Sequence, residues 1–447
     1  MVAPLFQMRC IGDHSLLVFV AKYGDKMIYL NQTASRIYQE TSEGAAPAEI
    51  IAGFTRDYPS VSHAILERDI TGFLQRLDQC VQGTPTLEGA ISDGHFSETV
   101  LRRDAQQAWV PIEGSLELTF RCNLRCQHCY CIWCQWQRSE RSTTEILDTL
   151  DQIRESGCLW LLLTGGEPLL RPDFNQIYSY ARQKGFLVSV FTNGLLLNES
   201  ICEVLATYPP MLLELSVYGM SNGTYNKITG HKSGFSRFQH VCDLLERYDI
   251  NYALKSMVQR DNWSELPQMR QFAYDHGKKF RFDADVHARL DGQDVGPDVR
   301  LSPIDIVNIE LDGNPHEIVR VWSESAKDRH RAYDQRLFCC QAGRTSFNID
   351  PFGYVSMCGR VRNPEFSLTE NTFAAIWQAL NQMNARPVPN DFSCRSCPSI
   401  EFCRTCPAAY WLPASLREVE FCATARQRAT AFTNVMINKG EDCHVKI

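Results

Sequence analysis

Three cysteines fall within eight residues in the stretch Cys122-Asn123-Leu124-Arg125-Cys126-Gln127-His128-Cys129, directly after the apolar run 116–120. A four-iron four-sulfur cluster normally takes four thiolates. Three from one loop can bind three irons and leave the fourth open. An open, electron-rich iron at the end of a strand is a place where a small molecule can be bound and reduced, chemistry that no amino-acid side chain supplies. A zinc knuckle or unligated thiols compete for the same stretch, although zinc sites usually take four protein ligands in paired spacings.

Composition narrows the setting. At 447 residues the chain is long enough for two or three domains. Its 45 basic and 52 acidic residues give a net charge of −7 without a long basic run, which argues against nucleic acid as the main partner. No stretch approaches the ~18 apolar residues of a membrane span. Residues 15–21 lack the basic flank and cleavage pattern of a signal peptide. A cytoplasmic protein is expected, and there nineteen cysteines argue for metal rather than disulfides.

Residues 1–82 read as a small module: two short strands at 15–20 and 26–30 around Gly24-Asp25, then three helices. The helices are announced by the polar cap at Asn31 and by Ile50, Ile51 and Phe54, then Ile70, Phe73, Leu74 and Leu77, at helical spacing. Residues 83–113, with Gly83, Pro85, Gly89, Gly94 and Pro111, read as a linker.

From residue 114 the pattern alternates strand and helix, with strands at 115–121, 158–164, 187–192, 212–217, 252–258 and 280–285. A capping-box pattern, Ser142-Thr143-Thr144-Glu145, opens the first helix, and Gly157 stops it. Six β/α repeats over 114–300 predict a partial (β/α)6 TIM-like barrel that binds ligands at the carboxyl ends of its strands. The three-cysteine loop sits at the first such end. The second end carries Thr164-Gly165-Gly166-Glu167-Pro168, whose glycines permit close backbone approach and whose carboxylate can accept from an ammonium group.

Together these stretches resemble the radical S-adenosylmethionine superfamily. The resemblance implies that Cys122, Cys126 and Cys129 hold a cluster whose open iron chelates S-adenosylmethionine. Reductive cleavage then yields a 5′-deoxyadenosyl radical that takes a hydrogen atom from the substrate. It further implies that Gly165, Gly166, Glu167 and Pro168 form the methionine-amine site and that Thr192 and Asn193 lie near the cofactor. Ser216 becomes a ribose contact, and Lys255 a partner for the carboxylate. Two positions depart from the pattern: His128 stands where an aromatic residue near the adenine is usual, and Tyr218 where many relatives carry Asp. No acid–base role is assigned to Tyr218.

The N-terminal order, with Tyr29-Leu30-Asn31 before its first helix, resembles the winged-helix-like leader-peptide recognition domain typified by the small peptide chaperone of pyrroloquinoline quinone biosynthesis. Such domains add an extended leader to a sheet edge. Residues 301–338 read as a bridging segment.

In 339–447, Cys340 and Cys358 precede Cys394-x2-Cys397-x5-Cys403-x2-Cys406 and Cys422. Clustered pairs and distant singles suit two interleaved metal sites, with a zinc ribbon the competing reading. The order resembles the SPASM domain of peptide-modifying enzymes. That likeness implies one auxiliary cluster on Cys340, Cys358 and Cys406, and another on Cys394, Cys397, Cys403 and Cys422. The last local spacing is shorter than usual, and a cysteine expected before Cys340 is missing unless Cys339 replaces it. Cys131 and Cys134 form an additional C-x-x-C, read as redox-active thiols or as ordinary ones in an aromatic patch.

The three resemblances imply three four-iron clusters, a reductant such as flavodoxin or ferredoxin, and a precursor peptide with a leader. The expected activity is an oxidative carbon–carbon or thioether cross-link in that peptide. Formylglycine-type oxidation of a protein Cys or Ser is an alternative, and a zinc-stabilised peptide-binding scaffold another.

Overall fold

A computed structural model describes residues 5–11, 14–20, 26–81, 98–131, 138–287, 289–290, 295–312, 315–318, 320–321, 340–385, 397 and 422–438. The N-terminal module has one strand more than its sequence suggests. Strands β1 (Leu5–Ile11), β2 (His14–Val20) and β3 (Lys26–Leu30) form an antiparallel sheet in that order. Helices α1 (Gln32–Ser42), α2 (Pro47–Asp57) and α3 (His63–Val81) follow. Asn31 caps α1 by accepting from the Ala34 N–H at 2.8 Å. Leu30, Ile37, Ile50, Phe54, Ile70 and Phe73 close a core between the helices.

The module is docked against the next domain rather than tethered to it. Leu16 and Val18 of β2 are fully buried among Leu101, Ala105, Ile112, Leu159, Trp160 and Leu187. From β1, Arg9 reaches the same interface, where its guanidinium donates to the carbonyls of Gly185 (3.3 Å) and Cys158. Part of the expected linker is helical: α4 (Glu98–Ala108) supplies Leu101 and Ala105, one turn apart, to this junction.

The central sheet has nine strands. Strands β4 (Glu113–Thr119), β5 (Trp160–Gly165), β6 (Leu187–Thr192), β7 (Leu212–Ser216), β8 (Ala253–Met257) and β9 (Phe280–Asp283) are parallel neighbours in chain order. Between them run α5 (Thr143–Glu155), α6 (Phe174–Gln183), α7 (Glu199–Thr207), α8 (Asn222–Thr229), α9 (Gly234–Arg247) and α10 (Leu266–Asp275). The capping box of α5 forms: Glu145 N–H donates to Ser142 Oγ, and Ser142 N–H to Glu145 Oε2 at 2.8 Å. On the helix-facing side Leu116, Leu118, Leu161, Leu163, Val188, Val190, Leu213 and Leu215 are buried, leaving alternate positions to face the barrel interior.

Beyond β9, α11 (Pro303–Leu311) packs with the last helix, and the sheet itself continues on its other side. Strand β10 (Ser346–Ile349) pairs parallel with β4, and β11 (Tyr354–Ser356) and β12 (Phe366–Ser367) add antiparallel. The start of the expected cysteine domain is therefore part of the barrel sheet. Helix α12 (Phe373–Asn384) covers β10, stacking Phe373 and Trp377 around Phe347. In α13 (Cys422–Asn438) the buried Arg428 is held by Glu310 of α11 at 2.6 Å.

Candidate active site

The first strand ends two residues earlier than its sequence pattern suggests, and the reason lies in the site. After a register irregularity between Glu117 and Thr119, the chain turns so that the Thr119 carbonyl accepts from Gly166 N–H at 2.7 Å and the Arg121 carbonyl from Glu167 N–H at 2.9 Å. Gly165 has φ +134°, and a Cβ on Gly166 would lie 2.7 Å from the Phe120 carbonyl oxygen and collide with that of Arg121. The two glycines are what let the cysteine loop lie flat across the end of β5.

Glu167 is fully buried and anchored at both oxygens. Its Oε1 accepts from Thr192 Oγ1 at 2.6 Å and from Leu169 N–H at 3.0 Å, and its Oε2 from Asn193 N–H at 2.8 Å. Burial outweighs these donors and pushes its carboxyl up to about 7. An incoming ammonium would draw the proton off. Pro168 opens the short 3-10 turn Pro168–Leu170 that places the Leu169 N–H. Asn193 links this pocket to the cysteine loop, because its Nδ2 donates to Asn123 Oδ1 at 2.8 Å and lies 3.9 Å from Cys122 Sγ.

The loop is pinned from the other side by α8, where Arg125 and Gln127 N–H groups donate to the Thr229 and Ile228 carbonyls at 2.8 and 3.0 Å. Cys126 is buried, and Cys122 and Cys129 are half-buried. Burial raises the Cys122 thiol to about 12 and the Cys126 thiol further, and in both cases the other loop sulfurs add to the rise. Three thiols from one loop suit a polynuclear cluster, in which each thiolate takes its own iron and is deprotonated by it.

His128 faces inward, its Nδ1 2.9 Å from Gln259 Oε1, and burial lowers it to about 4, so it is neutral. Ser216 and Lys255 are register partners at the ends of β7 and β8. Burial, then repulsion from Arg281, lowers the Lys255 pKa. Arg281 is itself paired bidentately with Glu214 at 2.5 and 2.6 Å. Beside β9 a cavity of about 530 Å³ is lined by Arg281, Asp283, Asp285, His287, Glu310 and Ile318.

The sequence-predicted residues Cys122, Glu167, Thr192 and Asn193 are thus in one bonded network, with Gly165 and Gly166 packed under it. Gln259 and Glu140 adjoin them without having been singled out. Glu140 fixes the end of β4 by accepting from Thr119 Oγ1 at 2.7 Å and Phe120 N–H at 3.0 Å. No local motif marks Glu140 or Gln259; their partners lie 20 to 132 residues away. Cys340 is exposed, and Cys358, Cys397 and Cys422 are half-buried; Cys134, Cys339, Cys394, Cys403 and Cys406 lie outside the described residues.

Residues 116–273 match the model of the Radical SAM superfamily, and residues 17–80 that of coenzyme PQQ synthesis protein D, PqqD. The chain thus carries a radical SAM domain and a PqqD-like domain. A radical SAM domain implies S-adenosylmethionine and a four-iron four-sulfur cluster as cofactors, which the donor set fits. The chain is 27% identical over 278 residues to the antilisterial bacteriocin subtilosin biosynthesis protein AlbA of Bacillus subtilis (strain 168), spanning 60% of this chain and 59% of that protein. It is 24% identical over 298 residues to the PqqA peptide cyclase of Bradyrhizobium diazoefficiens, spanning 63% and 77%. It shares the fold of Streptococcus suis SuiB bound to its precursor peptide SuiA, with a TM-score of 0.58, 15% identity and coverage of 90% and 93%. The alignment with AlbA spans less than two thirds of that relative. No helix among the described residues is long and apolar enough to cross a membrane.

Proposed function

We propose that this radical SAM enzyme matures a ribosomally made precursor peptide, joining two of its residues by an oxidative carbon–carbon or thioether bond. The observation that carries the reading is the docking of the PqqD-like module against the barrel through Arg9, Leu16 and Val18, which puts a peptide-recognition fold and the radical site in one body. The relatives named above carry out subtilosin biosynthesis and PqqA cyclisation, both consistent with a peptide substrate.

The cofactors supply, when bound, one-electron cleavage of a sulfonium and through it removal of a hydrogen atom from an unactivated carbon. Glu167, held by Thr192 and Asn193, receives the ligand's ammonium group. Lys255 meets its carboxylate, whose negative charge offsets the burial and the Arg281 repulsion that lower the lysine's pKa, and Ser216 meets the ribose. Cys122, Cys126 and Cys129 hold the cluster. Following the SPASM resemblance, Cys340, Cys358 and Cys406 hold one auxiliary cluster and Cys394, Cys397, Cys403 and Cys422 another, with a flavodoxin or ferredoxin as reductant in the cytoplasm. The leader adds to the sheet of the N-terminal module, and the core segment enters along the cavity at β9. The interior must exclude water and stray hydrogen donors while a carbon radical exists.

Anaerobic incubation of a candidate precursor with reconstituted protein, S-adenosylmethionine and reductant tests the reading by mass spectrometry. A loss of two hydrogens with release of 5′-deoxyadenosine is expected, and fragmentation locates the bond. Zinc in place of iron, with S-adenosylmethionine intact, would overturn it.

A further inference from the structure

Two stretches of this acidic chain hold no acidic residue, and they lie against each other. The chain carries a net charge of −7, yet no Asp or Glu occurs between Glu117 and Glu140, where the cysteine loop lies, or between Glu214 and Asp243, where α8 and its C-terminal turn lie. The backbone stitches the two together through the Arg125 and Gln127 N–H groups, which donate to the Thr229 and Ile228 carbonyls at 2.8 and 3.0 Å. A Cβ added to Gly230, just past α8, would come within 3.7 Å of the Arg125 Cβ. Along the loop burial alternates: Leu124 and Cys126 are 2% and 7% exposed, and Arg125 between them is exposed. One layer of backbone thus has cysteine on its inner side and arginine on its outer side. Beside Arg125 stand the half-buried His231 and the exposed Lys227 and Lys232. Among the described residues, acidic groups from neighbouring elements meet the margins of this face. Asp261 pairs with Lys227 at 2.7 Å, Glu140 with Arg121 at 3.6 Å, and Glu265 accepts from Met220 N–H and Thr224 Oγ1 at the other end of α8.

We propose that this basic face is where a small acidic electron-carrier protein docks to reduce the loop cluster. The inference rests on the reading that Cys122, Cys126 and Cys129 hold that cluster and that a carrier protein supplies its electron. An acidic carrier is repelled by most of a molecule of this net charge and attracted to the patch over the loop, so long-range forces orient the encounter. The cofactor pocket around Glu167 lies on the opposite side of the loop from α8, so an electron enters from outside without displacing cofactor or substrate. With a flavodoxin as carrier, its anionic flavin hydroquinone gives up one electron and becomes the neutral semiquinone. The oxidised cluster is reduced by that electron, and no proton crosses the interface.

The test is anaerobic stopped-flow mixing of the reconstituted full chain with flavodoxin hydroquinone, followed by the semiquinone absorbance. The parent's second-order rate constant is expected to fall as salt is raised, because the attraction acts through solvent. In Lys227→Gln/Lys232→Glu it is expected to be about tenfold lower at low ionic strength and close to the parent's at high ionic strength. Lys232→Glu alone is expected to move it the same way and serves if the double variant folds poorly. Lys279→Glu makes the same change in net charge at an exposed site just before β9 and is expected to leave the rate within about twofold. Reduction by photoexcited 5-deazariboflavin, an uncharged reductant that needs no docking, is expected to be equal in parent and variants. A rate indifferent to salt, or lowered as much by Lys279→Glu as by Lys232→Glu, overturns the inference alone. So does a parent that deazariboflavin reduces and flavodoxin does not. Iron per chain unaffected by Cys126→Ala overturns the cluster reading and the inference with it.

Discussion

Glu117 on β4 and Arg362, 245 residues further along the chain, form an ion pair at 2.7 Å in the barrel interior. Glu117 is 2% exposed, and the Arg362 side chain 15%. Arg362 also donates to the Gly359 carbonyl at 2.8 Å and packs over the Phe120 ring, so one guanidinium ties the turn after Cys358 to the start of the cysteine loop. Removing one partner strands a buried charge. Arg362→Met is expected to cost about 3–5 kcal/mol, and the double variant Glu117→Leu/Arg362→Met markedly less, because the penalty lies in the unpaired charge more than in the lost bond. Chemical denaturation of the two variants beside the parent checks the order; equal losses would show that the pair's packing dominates.

Glu167 makes cofactor binding pH-dependent. With its carboxyl pushed up to about 7 in the empty pocket, it must lose a proton before it can pair with an ammonium group. Affinity for S-adenosylmethionine should therefore rise as the pH climbs toward 7, by up to about tenfold per unit, and level off above it. Without ligand the sign is the reverse for stability: the raised carboxyl favours the fold below its usual 4.5 and loses that contribution as the pH passes 7. Calorimetric titrations between pH 6 and 8 should show the slope, and Glu167→Gln should bind more weakly with no slope.

Gly166→Ala drives a Cβ into the carbonyl oxygens of Phe120 and Arg121, both backbone and neither free to rotate away. The end of β4 would have to lift from β5, carrying the cysteine loop with it. The expected cost is about 1–3 kcal/mol of stability and the loss of most S-adenosylmethionine cleavage, measured as 5′-deoxyadenosine formed per chain. Gly72→Ala, where a Cβ meets only the far end of the Arg76 side chain at 3.5 Å, is the control for adding a methyl group without a backbone collision.

Cysteine variants separate the cofactor sites. On the proposed three-cluster reading, Cys122→Ala should lose about four of roughly twelve irons together with all 5′-deoxyadenosine formation. Cys358→Ala should lose a similar share of iron and keep reductive cleavage while failing to produce the cross-link. Iron analysis and chromatography of the nucleoside decide between them.

The parallel strands and the turns at their ends were legible because glycine and cysteine mark them chemically: Gly165, Gly166 and the three loop thiols can be read without knowing their neighbours. What escaped was decided at long range. Strand β1 contains Gln7 and Arg9 and does not read as a buried strand, yet Arg9 is 2% exposed because carbonyls 149 and 176 residues away accept from it. Helix α4 buries only Leu101 and Ala105, too weak a stripe to stand out from the glycines and prolines preceding it. Strands β10 to β12 are two to four residues each, below the length at which alternation can be recognised.

The pairing of β10 with β4 has a consequence for biosynthesis. Until residues 346–349 leave the ribosome, the outer edge of β4 presents unpaired N–H and C=O groups beside freshly made apolar strands. At about 5–20 residues per second this window lasts on the order of ten to fifty seconds. Truncation anywhere before β10 would make that open edge permanent, so C-terminally shortened chains should accumulate as aggregates rather than as smaller working barrels.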